Sequence, residues 1–398
     1  MSLKIAIGVS TRKTIPEAAQ EAAFKCISQL PAPGEANLAL VFSTPDFAST
    51  GLLKSIRQAL KSNIPLIGCS AVNLITAEGI QKEGVLIALL SLANTKISCG
   101  WIETTKNKDA LLCGQELGTS LAANSKGQRR QFCLLFNDGL SENTSGLIKG
   151  LQSVLGLSFP FIGAGASDNL KFKQTYQYYD QRVLNKGTAC ALLAGKLNFG
   201  LGIKHGWGPL GKTRLITASS GNIIKKIDGQ NACHLYEDYF AQTIKELKQE
   251  LLRINLLYPI GVYLKGESEY LLRNIISLND DGSITTQGDV PQDSSIRLMI
   301  GTKESCLEAA RQAALQVKVN LRDKKAEFAL VISSASRSYL LGRQAGSEIK
   351  IIREILGRET PLFGFYSYGE YAPLGSINYY GQTYLHNQTI AILGITQE

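Results

Sequence analysis

Glu370 stands in the segment PLFGFYSYGEYAP, residues 361–373, with Tyr366, Tyr368 and Tyr371 around it and Gly369 beside it. A carboxylate that leaves water needs a cation or hydrogen-bond donors. Tyrosine adds a flat apolar face and a hydroxyl. Arg337, in SSASRSYLLG, follows the apolar run FALVI and is a matching cation. A guanidinium grips a carboxylate at two points, and Glu370 would take an ammonium. The pair therefore suits a small zwitterion such as an amino acid, with Tyr366, Tyr368 and Gly369 as walls. The later segment YLHNQT adds His386, Asn387 and Thr389 to the same expected cavity. Each group also has a plainer use: tyrosines behind a strand serve as rim residues, and Asn387 and Thr389 can bond locally at a strand start.

Glu370 and His386 are also an acid and a base by type. Acid–base catalysis needs only two well-placed groups, so an enzyme acting on a small metabolite is the alternative to a binding protein. A third reading is an interaction scaffold. Other chemistries find no support. There is no GxxxxGK[ST], HExxH, calcium loop or CxxC, and GAGASD at Gly163 supplies only two glycines of a dinucleotide fingerprint. The eight cysteines lie mostly in apolar runs such as QFCLLF and read as free buried thiols. The three histidines are far apart, so neither a metal nor a cofactor is expected.

The net charge of +9 is spread over short clusters (127–130, 171–173, 322–325) and reads as solvated surface, not a nucleic-acid groove. No apolar run reaches membrane-spanning length, and the first apolar run is too short for a signal peptide. A cytoplasmic protein is expected.

The elements that must position these groups repeat along the chain. PLIGCSAVNLI from Pro65, PFIGAGASDNL from Pro160 and PLFGFYSYGEY from Pro361 share a PxxG pattern, and YPIGVYLKGESEY near Pro259 is a weaker copy. The prolines lie about one hundred residues apart, as duplicated units would. Strand ends of α/β folds collect ligands, so Cys69 and Ser70 in the first copy are further site candidates. Asp168 and Asn169 in the second also read as an Asx turn. Upstream of each copy lie an unbroken apolar run and an amphipathic segment, with Leu52, Leu53, Ile56 and Leu60 at helical spacing. The expected unit is strand, helix, strand, helix, strand, strand, opened by KIAIGVST, ISCGWIET and, in the last unit, IRLMIGTK. The fold class is α/β, with two pseudo-repeated halves and mixed sheets. The halves divide in the glycine-rich FGLGIKHGWGPLG, giving domains 1–205 and 206–398, the third unit being degenerate with one long helix.

At these motifs the chain resembles the FIST proteins, a sensory domain with N-terminal and C-terminal parts, over nearly its whole length. NLALVF, PLIGCSA and GAGASDN resemble the first part. ASSGNIIKKIDGQ, DGSITTQGDVPQD, and GFYSYGE followed by HNQT resemble the second. The resemblance implies binding of small ligands, amino acids among them, and transfer of a signal to an output domain. A similar pair follows an F-box in eukaryotic ubiquitin-ligase adaptors. Many members carry a cysteine before the arginine where this chain has Ser334, so a thiol-dependent role is not expected. The FIST-like regions fill the sequence, so output is expected to pass through a separate signalling partner protein.

Overall fold

The computed structural model describes residues 3–30, 35–104, 108–265, 269–374 and 381–396. The first unit begins β1 (Lys4–Ser10), α1 (Ile15–Ile27), β2 (Leu38–Ser43), α2 (Thr50–Leu60) and β3 (Leu66–Ser70). A hairpin of β4 (Leu74–Thr76) and β5 (Gly79–Gln81) follows, then β6 (Val85–Ser91). The second unit repeats this as β7 (Thr95–Glu103), α3 (Ala110–Asn124), β8 (Arg130–Asn137), α4 (Thr144–Leu155) and β9 (Phe161–Gly165). Its hairpin is β10 (Gln177–Tyr179) and β11 (Arg182–Leu184), and β12 (Gly187–Gly195) closes it.

The last unit opens with β13 (Asn198–Lys204) and is then interrupted. The interruption comprises β14 (Trp207–Ser220), β15 (Ile223–Ile227), β16 (Gln230–Asn231), α5 (His234–Phe240), α6 (Ile244–Gln249) and α7 (Leu251–Leu257). It continues through β17 (Ile260–Tyr263), β18 (Tyr270–Arg273), β19 (Ile275–Leu278), β20 (Ile284–Thr286) and β21 (Ser295–Gly301). The unit resumes with α8 (Lys303–Asn320), β22 (Phe328–Ser334), α9 (Ala335–Leu341), α10 (Ala345–Leu356) and β23 (Leu362–Ser367). The hairpin of β24 (Glu370–Pro373) and β25 (Thr383–His386) and then β26 (Ile390–Thr396) complete it.

The expected α/β repeat with mixed sheets is present. The long strands of the three units form sheets ordered β1-β6-β2-β3, β7-β12-β8-β9 and β13-β26-β22-β23. In each, the pair joined by a helical crossover is parallel and the other pairs are antiparallel. One equivalent rung crosses all three: Gly8–Ile87–Val41–Gly68, Gly100–Cys190–Leu135–Gly163 and Gly202–Ile392–Val331–Gly364. The PxxG glycine ends each rung for a steric reason. A methyl group on Gly68, Gly163 or Gly364 would lie 1.7, 1.8 or 1.7 Å from the carbonyl oxygen of its parallel neighbour.

Two sequence expectations are corrected. IRLMIGTK does not open the last unit, because β21 belongs to the interrupting segment's own sheet, ordered β18-β17-β21-β14-β15-β20-β19. The opening strand is β13, where a methyl on Gly202 would come within 1.8 Å of the Ala313 carbonyl oxygen of α8. The Pro259 copy is no repeat, since β17 pairs antiparallel with β18 and β21. The single long helix expected there is three short ones, α5 to α7, around a separate core that includes Ile216, Tyr236 and Ile260.

The units interlock cyclically. The hairpin of the first adds to the third sheet through β4 and β23, that of the second to the first sheet through β10 and β3, and that of the third to the second sheet through β24 and β9. The inner faces of all three sheets share one apolar core. At its centre Phe42 stacks on Phe365 at 4.3 Å and meets Phe136 edge-on at 5.4 Å. Helices cover the outer faces.

Candidate functional site

The interlocking brings the three PxxG strand ends together. Ser70 Oγ donates to the Ser167 carbonyl at 2.8 Å, and Ser167 Oγ donates to the Tyr366 carbonyl at 3.0 Å. The Tyr368 amide donates to the Gly165 carbonyl at 3.0 Å. Ser70 is thus spent on this junction, and Cys69 packs into the shared apolar core. Both are fully buried, and burial pushes the Cys69 thiol well above its usual range.

Gly369, at φ +90°, makes the tight turn from β23 into β24. The turn folds Glu370 back under Ser367. Ser367 Oγ donates to Glu370 Oε1 at 2.7 Å, while the Thr389 hydroxyl and amide donate to Oε2 at 2.6 and 3.2 Å. Burial pushes this carboxyl up to about 7, against the opposing pull of Thr389, Ser367 and the Arg337 charge. His386 is paired in register with Glu370 across the hairpin. Its Nε2 lies 2.9 Å from the Ala372 carbonyl, and burial lowers its proton affinity to about 3. The imidazole is therefore neutral at pH 7, and Nε2 donates to that carbonyl.

Arg337 does not reach Glu370. Its Nε donates to Glu348 Oε1 of α10 at 2.9 Å, and its Nη2 donates to the same oxygen and to the Cys306 carbonyl. Nη1 donates to the His205 carbonyl. Tyr366 also points this way, donating to Glu348 Oε2 at 3.2 Å. Arg337, Glu348 and Tyr366 are fully buried, a sealed ion pair with a phenol.

Tyr368 and Gly369, by contrast, line a cavity of about 440 Å³. Tyr368 donates to Asp168 Oδ1 at 2.8 Å and stacks on Phe172 at 4.8 Å. Asp168 in turn accepts the amides of Phe172, Lys173 and Gln174, four to six residues ahead and not the two of the expected Asx turn, and this loop fixes the aromatic wall. Ser334, Ser336 and Ser367 line the floor. Thr285, Thr286 and Gln287 of the interrupting segment line the opposite side. Leu252 and Ile276, 46% and 44% exposed, stand at the mouth. Asn387 does not line the cavity but braces it: its Nδ2 donates to Gln287 Oε1 at 3.0 Å and its Oδ1 accepts the Asn274 amide at 3.0 Å. Glu142 is the one charged side chain among the described lining residues.

The structure thus brings Tyr368, Gly369, Glu370, Asn387 and Thr389 to the cavity or directly behind it. Arg337, Tyr366, Cys69 and Ser70 serve the scaffold. The lining residues from 139–142 and from the interrupting segment escaped the sequence reading. Thr285, Thr286 and Gln287 lie in DGSITTQGDVPQD, a stretch used for resemblance but not for chemistry.

A FIST N domain matches residues 37–230, and a FIST C domain matches residues 232–373. The chain belongs to the FIST family. FIST domains are associated with sensing in signal transduction, and the cavity draws its lining from both matched FIST segments. His386, Asn387 and Thr389 lie beyond the matched FIST C segment. An uncharacterized protein of Methanocaldococcus jannaschii, MJ1623, is 24% identical over 273 residues, covering 62% of this chain and 51% of the relative. The chain therefore spans about half the length of that protein. Among solved structures, T. maritima PurL complexed with FGAR aligns over 99% of this FIST chain and 73% of its own, at 9% identity. Its TM-score of 0.22 is too low to bear on fold or ligand. No helix among the described residues is long and apolar enough to cross a membrane.

Proposed function

We propose that this FIST chain is a sensory receptor that holds a small metabolite in the cavity between the interrupting segment and the repeated core. The observation that carries the reading is the cavity itself: about 440 Å³, apolar walls, and hydroxyl and amide groups from both FIST domains. Such concave, mostly apolar sites with a few convergent polar groups are the usual form of small-molecule sites. The ligand class is a small amine-bearing metabolite, an amino acid being the simplest. Glu142 at the mouth takes the ammonium, the hydroxyls of Ser334 and Ser336 take the carboxylate, and Tyr368 and Phe172 face the apolar body. Eight free thiols suit a cytoplasmic setting. Occupancy ties the interrupting segment to the core, and that shift in population is what a separate signalling partner would read.

A thermal-shift screen of amino acids and small dipeptides tests this. At one hundred times Kd a ligand stabilises the folded state by about 2.7 kcal/mol, on the order of several degrees in Tm. Leu252→Trp, which fills the mouth from an exposed position, should abolish the shift, and Glu142→Gln should weaken it. The reading fails if no such compound moves the transition, or if Leu252→Trp binds the hit as tightly as the parent.

A further inference from the structure

A second cavity, of about 100 Å³, lies where α4, β18 and β25 meet. It is distinct from the first, although consecutive residues serve the two: Asn274 lines the larger and Arg273 the smaller. Arg273 is only 4% exposed. Its Nε donates to the Asp289 carbonyl at 2.9 Å, and its Nη1 donates to the carbonyls of Leu272 and Leu385 at 3.0 and 2.8 Å. These acceptors are all neutral. Among the described residues Nη2 has no hydrogen-bond partner, and no carboxylate oxygen comes within 4.0 Å of the guanidinium nitrogens.

The group is also held in place. A methyl on Gly288 would come within 3.2 Å of Arg273 Nε and Cζ, so the guanidinium is pressed under that backbone. Arg337, also fully enclosed, has Glu348 against it, whereas the Asp289 carboxylate acts on Arg273 only from beyond 4.0 Å. A buried charge without a counter-charge is costly. Among the described lining residues the remaining charges cancel: Lys149 and Asp289 pair at 2.8 Å at the mouth, both partly exposed. The enclosure is therefore left with one net positive charge, flanked by polar side chains of Ser145, Gln382 and Thr383.

We propose that this cavity binds a small oxyanion, a phosphate or a carboxylate head group, against the Arg273 guanidinium. The guanidinium fork is the natural receptor for such groups, and the volume limits the site to a small head. Lys149 assists at the entrance, and Asp289 opposes binding unless Lys149 neutralises it. The site is independent of the proposed amino-acid cavity.

The test uses the full chain and three probes, inorganic phosphate, sulfate and acetate, each against sodium chloride at matched ionic strength. Saturable stabilisation in thermal scans, with a Kd from calorimetry, is expected for at least one probe. Lys149→Ala should raise that Kd about fivefold and Asp289→Asn should lower it by a similar factor, as a partly exposed charge contributes on the order of 1 kcal/mol. Arg273→Gln should abolish binding. If that variant does not fold, the two mouth variants decide. Preference for phosphate and sulfate over acetate assigns a phosphate-type ligand, and the reverse order assigns a carboxylate. The proposal is overturned if none of the probes stabilises beyond chloride, if both mouth variants leave the Kd unchanged, or if a folded Arg273→Gln binds as the parent does.

Discussion

Glu348 and Glu370 lie in the same unit and are both fully buried, yet they are held by opposite means. Glu348 has a guanidinium against it at 2.9 Å. Glu370 has two hydroxyls and one amide. Burial alone would lower the proton affinity of Arg337, but the Glu348 carboxylate outweighs it and the net shift is upward. At Glu370 burial wins instead, because neutral donors offset only part of the lost hydration. Two carboxylates of equal depth are therefore held by different kinds of partner, a guanidinium at Glu348 and neutral donors at Glu370. Sequence reading joined Arg337 to Glu370, but the packing of α10 against α9 supplies a nearer acid.

The comparison breaks most visibly at the ion pair. Arg337→Ala leaves Glu348 buried without its cation and should cost about 3–5 kcal/mol, read from urea unfolding. Replacing both partners by apolar residues, Arg337→Met with Glu348→Leu, should recover much of that loss. A single variant within 1 kcal/mol of the parent would show that the pair is not what holds these helices.

At Glu370 the expected signature is pH dependence. Its folded-state affinity, about 7, is raised above the ordinary 4.5, so the folded state binds the extra proton. The stabilisation is fully present below pH 4.5 and is lost as pH rises toward 7. Its size is on the order of 3 kcal/mol. Glu370→Gln, always neutral, should remove this fall from a plot of unfolding free energy against pH. An unchanged slope between pH 4.5 and 7 would refute the assignment.

Ser367→Ala gives the smallest effect and the finest resolution. It removes one donor from Glu370 Oε1 at a cost of about 1 kcal/mol. Losing a bond that favours the charged carboxylate should move the same pH window upward. A downward move would mean that the hydroxyl serves the protonated form.

Much of the scaffold was legible because its causes are local. Unbroken apolar runs gave β2, β3 and β6 as strands buried on both faces, and the spacing of Leu52, Leu53, Ile56 and Leu60 gave α2. The Asp168 loop was legible only in part: an Asx turn reaches two residues ahead, whereas its carboxylate serves amides four to six residues ahead. β13 was misread for a physical reason. Its glycines resemble a hinge in FGLGIKHGWGPLG, but Gly200 and Gly202 are there because α8 lies directly on them. Gly8 under α1 is the same device, and comparing the two openings would have found it.

The sequence by itself determined the repeated unit, the free thiols and the polar chemistry clustered around residues 366–389. It did so because strand, helix and turn propensities act over a few residues. Tertiary structure alone decided which of those groups meet. The hairpins cross between units, so Glu370 is paired in register with Ala164, some two hundred positions away, and its carboxylate is not joined to Arg337. The cavity lining runs from Gly139 to Gly369, joined only once the interrupting segment folds over the core. No local pattern records such long-range contacts, because they are set by how whole sheets pack.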